Sequence, residues 1–580
     1  MKPIPGLFDK PPRPVRKATT PDGRTADAPK VLIVGGVAGG ATAAARLRRL
    51  NEFAEIIIFE RTGYVSYANC GLPYYVGGVI TDKRDLTLQS PEGFAARYNV
   101  EVRVRSEVVR IDPAAHTVLV RDLESGREYT EDYDKLLLSP GARAVVPNVK
   151  GADGERVFTL RTVEDTLRVS ERAKAAGAER AVVVGGGFIG LEAAENLARL
   201  GIKVTLLQRG KQLLPTLDAD MAALIAEALA AGGVDVRYGV HTSEFREDNG
   251  VTVVTDCGEF PCDVALIATG VAPESDLALA CGLETGIRGA IVTDEFMNTS
   301  DPDIFAAGDA VQTEELVTRE PVNITLAGPA NRQGRIAADN ICGRFDVYRG
   351  SQGTSIIGLF GLTAASTGLT EKTAAKYGIR YLKTITLSPS HATYYPGAEE
   401  MFIKLLFTPD AGKLLGAQIV GKSGVDKRID VLAVALRAGM SVSDLTALEL
   451  AYAPPFSSAK DPVNVAGYVA ENVLGGLVKQ FHAEELPELC DRNDIIMLDV
   501  RTRREYDAGH FSRSTNIPLD ELRKNIDYLN KSVPIYVNCR SGTRSYIACR
   551  ILTAHGFECY NLAGGTAFAS HLYPELLKKR

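Results

Sequence analysis

Two cysteines of this 580-residue chain have neighbours that would make a thiolate useful. Cys70 lies in Ser66-Tyr67-Ala68-Asn69-Cys70-Gly71-Leu72-Pro73-Tyr74-Tyr75, just beyond a β run that ends at Glu60. A thiol at the start of a helix feels the positive end of the dipole, and its pKa falls from about 8.5 by several units. The competing reading is a buried structural thiol, since free cysteines are often core residues. Cys539 opens the loop Cys539-Arg540-Ser541-Gly542-Thr543-Arg544 between a β run and a helix. Six residues closing round one thiolate aim several backbone N–H groups at the sulfur, and Arg540 and Arg544 add positive charge. Such a cradle suits a cysteine persulfide. Cys257 and Cys262 have the C-x4-C spacing of a redox dithiol, but Gly258 and Pro261 put them in a hairpin, so they are expected to be inert. No Cys/His group has zinc spacing, and no metal site is expected.

Elements that would place these thiols come in a repeated form. Val31 to Val34 runs into Gly35-Gly36-Val37-Ala38-Gly39-Gly40 and an Ala-rich helix, and Ala181 to Val184 runs into Gly185-Gly186-Gly187-Phe188-Ile189-Gly190 and a helix. The β runs Glu55 to Phe59 and Lys203 to Leu207 follow. This is a βαβ unit made twice, with glycines where a dinucleotide pyrophosphate meets a helix N-terminus. Glu60 is placed to accept hydrogen bonds from an adenosine ribose. Its counterpart is Gln208, followed by Arg209, which weakens exclusion of a 2′-phosphate, whereas Gly190 in place of Ala favours NADH; NADH and NADPH both stay open. Gly141 and Gly270 each follow a β run, and Gly308-Asp309 ends another with a carboxylate positioned for a ribityl chain.

Composition limits the alternatives. With 45% apolar and 24% charged residues the chain is an ordinary globular sequence, and a net charge of -6 provides no field for nucleic acid or an anionic membrane. The uncharged stretch Gly350 to Thr370 is rich in Gly, Ser and Thr, so membrane insertion is not expected. Nine scattered cysteines fit a reducing, cytoplasmic setting rather than a disulfide framework. The first 29 residues hold seven prolines and six Lys/Arg against three Asp, which reads as a flexible extension without a secretory h-region.

Residues 30 to 470 resemble the flavin-dependent pyridine nucleotide-disulfide oxidoreductases, and the run around Cys70 resembles their coenzyme A disulfide reductase branch. His391-Ala392-Thr393-Tyr394-Tyr395-Pro396-Gly397-Ala398 and Ala451 to Pro462 look like that branch's later signatures. The resemblance implies that Cys70 forms a mixed disulfide or persulfide with substrate sulfur and is regenerated by electrons from reduced FAD. It also implies that two tyrosines of a partner subunit assist the leaving thiolate; Tyr394 and Tyr452 are the candidates, with Tyr395 the competitor for the first. Arg46 and Arg49 share a helix face. By resemblance they line a coenzyme A channel with Ser66, Asn69, Asn331 and Lys460, although exposed arginines often bind nothing specific. Val37 replaces the middle glycine of the first fingerprint, which this branch tolerates. Residues 486 to 580 resemble a rhodanese domain through Leu498 to Arg501, Glu505-Tyr506, Gly509-His510, Asn516 to Pro518 and the Cys539 loop. Departures at Arg513-Ser514 and Gly564-Gly565-Thr566 bear on the sulfur acceptor.

The expected class is α/β: two Rossmann-like dinucleotide-binding domains, an α+β dimerisation domain and a C-terminal α/β rhodanese domain. The expected boundaries are a flexible extension at 1–29, an FAD domain at 30–145 and 272–345, and an NAD(P)H domain at 146–271. A dimerisation domain at 346–475, a linker at 476–485 and a rhodanese domain at 486–580 follow. The implied activity is reduction by NADH or NADPH, through FAD and Cys70, of coenzyme A persulfide, polysulfide or coenzyme A disulfide. Coenzyme A is then a substrate or a tightly bound cofactor, Cys539 and its two arginines handle sulfane sulfur, and the enzyme is a cytoplasmic homodimer. One rival is an NADH oxidase or peroxidase cycling through a cysteine sulfenic acid. Another is a sulfurtransferase delivering sulfur to a protein acceptor.

Overall fold

The structure, a computed structural model, describes residues 16–21 and 24–579, so the first fifteen residues of the expected extension lie outside the described residues. The chain divides into two compact units, Met1–Lys211 with Gly232–Gly353, and Gln212–Ala231 with Thr354–Arg580.

In the first unit one design appears twice. Five parallel strands run in the order Ile304–Ala306, Lys135–Leu138, Lys30–Val34, Glu55–Phe59, Glu101–Arg103. A second sheet repeats this with Val157–Phe158, Val264–Ile267, Arg180–Val184, Lys203–Gln208 and Asp235–Tyr238. In each, a three-stranded antiparallel ribbon (residues 106–132 and 242–262) precedes the returning strand. The central strands are continuous apolar runs with no alternation, as parallel strands covered by helices on both faces must be. Of the expected extension, Lys17–Thr19 and Thr25–Asp27 pair as an antiparallel ladder.

The second unit holds an antiparallel sheet ordered Ser355–Leu359, Leu362–Gly368, Leu414–Gly421, Glu400–Phe407, Leu382–Pro389. The alternation read in its two inner strands does not mean one wet face: Glu400–Phe407 is buried after its first residue and Leu414–Gly421 throughout. Polar members of the alternation are satisfied internally. Lys404, fully buried, places its ammonium 3.0 Å from Asp218, 2.7 Å from Asp220 and 2.5 Å from Glu371. Gln418 donates to Asp218 at 2.7 Å. This draws residues 212–231, expected in the NAD(P)H domain, into the second unit, because a buried ammonium needs its carboxylates.

A five-stranded parallel sheet follows, ordered Lys479–Phe481, Cys559–Leu562, Ile535–Asn538, Ile496–Asp499, Thr515–Asn516. Its edge strand at Lys479 falls inside the stretch 476–485 expected as a linker; a three-residue strand is too short to show in a hydropathy pattern. No helix among the described residues is long and apolar enough to cross a membrane.

Candidate functional site

The two glycine turns are built alike. Gly35 (φ 92°) and Gly185 (φ 116°) adopt the left-handed region, and a Cβ there would lie 2.1 Å from the Ser139 carbonyl oxygen and 2.2 Å from that of Ala268. A Cβ on Gly40 or Gly190 would meet the carbonyl oxygen of Gly35 or Gly185 at 1.9 or 2.0 Å. Gly190 is thus demanded by helix packing, and its choice over Ala carries no information about the nucleotide. Helices Ala38–Leu50 and Phe188–Arg199 start without a side-chain cap, leaving first-turn N–H groups for a phosphate. Glu60 accepts from the Gly36 N–H at 2.9 Å, and Gln208 accepts from the Gly186 N–H at 3.0 Å. The brace is the same, but only the first is charged.

A cleft beside the first turn is lined by Gly35, Val37, Glu60, Asn69, Gly141, Arg161, Gly308 and Asp309. Arg161 donates to Asp309 at 2.9 Å and to the Ala142 carbonyl at 2.9 Å. Sequence reasoning missed Arg161, which sits in a loop with no periodic pattern to mark it. The Asn69 side-chain oxygen is buried without a partner. Glycine walls, uncapped helix donors, the Glu60 carboxylate at the edge of the cleft and this orphaned amide oxygen fit a dinucleotide such as FAD.

Cys70 sits at the mouth of this region in the single turn Asn69–Gly71, which runs into helix Leu72–Val76. Ser66, strained at φ 48°, donates its N–H to the Gly36 carbonyl at 2.8 Å and ties the cysteine loop to the first glycine turn. Helix Leu72–Val76 packs on the second nucleotide helix: the Tyr74 hydroxyl donates to Glu192 at 3.2 Å, and a Cβ on Gly77 would strike Asn196. The sulfur meets solvent, so the core reading does not hold. Its thiol is nevertheless pushed up rather than down, first because surrounding protein withholds water and then because Glu192 and Asp309 face it; Arg161 opposes them. The expected lowering fails because a helix of five residues supplies little dipole against burial and two carboxylates. Burial pushes the Glu192 carboxyl up to about 7, against the Tyr74 hydrogen bond.

The expected coenzyme A residues divide. Asn331 accepts from Thr42 on helix Ala38–Leu50, one turn before Arg46. Arg46 is engaged by the buried Asp339 at 2.6 Å, which removes it from the free cations; Arg49 and Lys460 are exposed.

In the second unit the hydroxyls of Tyr394 and Tyr452 lie 2.7 Å apart, while the Tyr395 ring packs edge-on against His391 at 5.8 Å. Their mutual hydrogen bond raises the Tyr394 hydroxyl pKa. The buried Arg428, which sequence reasoning also missed, holds both loops: it donates to the Ser390 carbonyl at 2.9 Å, to Ser457 at 3.1 Å and to Asp461 at 3.0 Å. Tyr394 and Phe456 are 74% and 71% exposed, large side chains of the kind that subunit contacts cover.

Cys539 is fully buried at the end of strand Ile535–Asn538. Its sulfur accepts from the Gly542 N–H and the Ser545 hydroxyl, both at 3.2 Å, so one backbone donor and one side chain form the cradle where several backbone donors were expected. Both arginines are held by carboxylates: Arg544 pairs with Glu505 at 2.7 Å and Arg540 with Glu400 at 2.6 Å. Thr566 braces the loop by donating its N–H to the Cys539 carbonyl at 2.8 Å. Cys257 sits in the turn and Cys262 at the far end of the last hairpin of the second ribbon, and burial pushes the Cys262 thiol up to about 12. Asp218, Asp220 and Glu371 cluster tightly enough for a metal, but Lys404 already fills that role.

Residues 29–334 match the family model described as pyridine nucleotide-disulphide oxidoreductase, residues 355–462 its dimerisation domain, and residues 482–567 a rhodanese-like domain. The crystal structure of reduced CoADR-RHD from Bacillus anthracis is 43% identical, with a TM-score of 0.93 over 95% of this chain and 99% of that one. A NAD-dependent persulfide reductase from A. fulgidus is 38% identical, with a TM-score of 0.88 over 93% of this chain and 99% of that one. The coenzyme A disulfide reductase of Staphylococcus haemolyticus is 34% identical over 77% of this chain and its own full length. By sequence and by structure alike, the chain belongs to the pyridine nucleotide-disulphide oxidoreductase family.

Proposed function

We propose that the protein is an NAD(P)H-dependent flavoprotein that reduces the sulfur–sulfur bond of coenzyme A persulfide, polysulfide or coenzyme A disulfide. One observation carries this reading: an exposed cysteine whose loop is hydrogen-bonded to the first glycine turn and whose helix is hydrogen-bonded to the second nucleotide helix. The relatives named for coenzyme A disulfide and persulfide reduction, and the rhodanese-like domain, favour it over the oxidase and the sulfur-delivery rivals.

FAD would be held by residues 35–40, Glu60, Gly141, Gly308 and Asp309, and NAD(P)H by Gly185, Gly187, Gly190, Gln208 and Gly270. Bound there, the flavin supplies the two-electron link between nicotinamide and sulfur. Cys70 attacks the substrate's sulfur, the S–S bond breaks, and the departing sulfur leaves as hydrosulfide or coenzyme A thiolate. Ser66, Asn69, Arg49, Asn331 and Lys460 are the residues offered to coenzyme A. In the homodimer supported by the dimerisation-domain match, the Tyr394 and Tyr452 pair hands a proton to the leaving sulfur. Cys539 carries sulfane sulfur. The nine free thiols favour a reducing, cytoplasmic setting.

The test is anaerobic NADH oxidation by the purified protein with coenzyme A persulfide and coenzyme A disulfide at matched concentration. Faster turnover on the persulfide, with hydrosulfide released, is expected. Preference for the disulfide would make thiol maintenance the task, and rapid oxygen-dependent oxidation forming water would restore the oxidase reading.

A further inference from the structure

Both guanidinium groups of the Cys539 loop are gripped by carboxylates, and one carboxylate comes from outside the loop's own layer. Arg544 binds Glu505, of helix Arg503–Ala508, through two parallel bonds of 2.8 and 2.7 Å. Arg540 reaches Glu400, the first residue of strand Glu400–Phe407 in the antiparallel sheet, through two bonds of 2.6 and 2.7 Å. The loop's surroundings rest on that sheet a second time. The Gly564 N–H donates to the Ile385 carbonyl at 2.9 Å, and a Cβ on Gly564 would press on the Ile385 side chain at 3.0 Å. Arg540 keeps both carboxylate bonds because Glu400 is held ionised, its carboxyl pulled down by the guanidinium. Glu505 is likewise held down to about 2 by Arg544.

Resting on the reading that Cys539 carries sulfane sulfur, we propose that Glu400 selects the sulfur donor, turning the loop away from thiosulfate and toward alkyl persulfides by occupying the Arg540 fork. With thiosulfate, the Cys539 thiolate attacks the sulfane sulfur, the S–S bond breaks and sulfite leaves with the electron pair as a dianion. Two negative charges then gather beside the loop, where an unoccupied guanidinium would be the natural partner. With an alkyl persulfide the same attack on the terminal sulfur releases a thiolate of single charge, leaving a Cys539 persulfide. The backbone N–H of Gly542 and the Ser545 hydroxyl suffice for that anion. Glu400 thus acts through Arg540 as a positioning residue for a site in a different layer of the same unit.

The experiment uses the full-length holoenzyme with cyanide as acceptor, and thiosulfate or glutathione persulfide as donor, at low and high salt. Glu400→Gln is expected to raise kcat/KM for thiosulfate about threefold to fivefold, the upper range of one partly exposed charge pair. The gain should shrink in high salt, and glutathione persulfide transfer should change by less than about twofold. Adding Arg540→Ala should cancel the gain, a reversal that loosening of the loop would not produce. An unchanged thiosulfate rate in Glu400→Gln, an equal gain with both donors, or a wild-type enzyme using both donors equally well would overturn the proposal. Failure of the underlying reading is separately visible: transfer from glutathione persulfide would then be absent in wild type or would survive Cys539→Ser.

Discussion

Cys70 and Cys539 each lie in a loop that leads into a helix, and their surroundings are opposite. Cys70 meets solvent and faces Glu192 and Asp309, which push its thiol up. Cys539 is fully buried and accepts hydrogen bonds from Gly542 and Ser545. A stored persulfide needs shelter and donors that travel with the loop. A redox thiol must stay open to a large substrate and to a reductant, so its helpers come from other elements. The contrast teaches that a cysteine's motif announces reactivity, whereas its carboxylates and donors decide what kind.

The sharpest way to break the comparison is to exchange the losses. Cys70→Ser should lower NADH-dependent persulfide reduction by at least about a thousandfold, as removal of a nucleophile does, while cyanide-trapped sulfur transfer continues. Cys539→Ser should do the reverse. Anaerobic NADH consumption and thiocyanate formation measured on both variants check this, and a shared loss would mean that the two thiols act as one relay.

The next effect concerns the helpers. Arg428 is a buried cation anchoring both tyrosine loops, and Arg428→Met takes the nearer of two cations from the buried Asp461, leaving Lys427 at 3.7 Å. Such a deletion costs about 3–5 kcal/mol, so the second unit should melt earlier in calorimetry. The Tyr394–Tyr452 hydrogen bond should loosen with it, lowering the Tyr394 pKa in a spectroscopic titration. Melting unchanged from wild type would show that the loops hold themselves.

Much of this was legible from residue type and spacing. The glycine turns were readable because only glycine tolerates a carbonyl at 2.1 Å from where a Cβ would stand, as at Gly35. Glu60 and Gln208 were readable because their positions follow from the period of a βαβ unit. Arg161, Arg428 and Glu400 were not. Each acts on a partner remote in sequence, such as Asp309, Asp461 or Arg540, and no local pattern marks a long-range ion pair. That residues 219–231 join the second unit was hidden for the same reason, since the link runs through the Asp220–Lys404 pair.

A smaller effect separates the donors at Cys539. Ser545→Ala removes one hydrogen bond to the sulfur and leaves Gly542 in place. A bond to a charged group is worth about 1.5–3 kcal/mol, so the rate of sulfur loading should fall at least about tenfold, measured by thiocyanate formation in single turnover. A fall below twofold would mean that the backbone alone holds the persulfide.

The mildest change tests why Cys70 is pushed up. Glu192, with its carboxyl at about 7, is largely neutral at pH 5.5 and ionised at pH 8. Its charge, where present, opposes the Cys70 thiolate, so Glu192→Gln should lower the Cys70 pKa only at pH values above about 7. Alkylation of Cys70 by iodoacetamide, followed against pH by mass spectrometry, should match wild type at pH 5.5 and run about threefold faster at pH 8, the ratio expected of one partly screened charge. A ratio independent of pH would transfer the effect to Asp309, the other carboxylate that faces the thiol. Either way the measurement asks whether the second nucleotide helix, which carries Glu192, adjusts the thiol that its bound nucleotide is meant to serve.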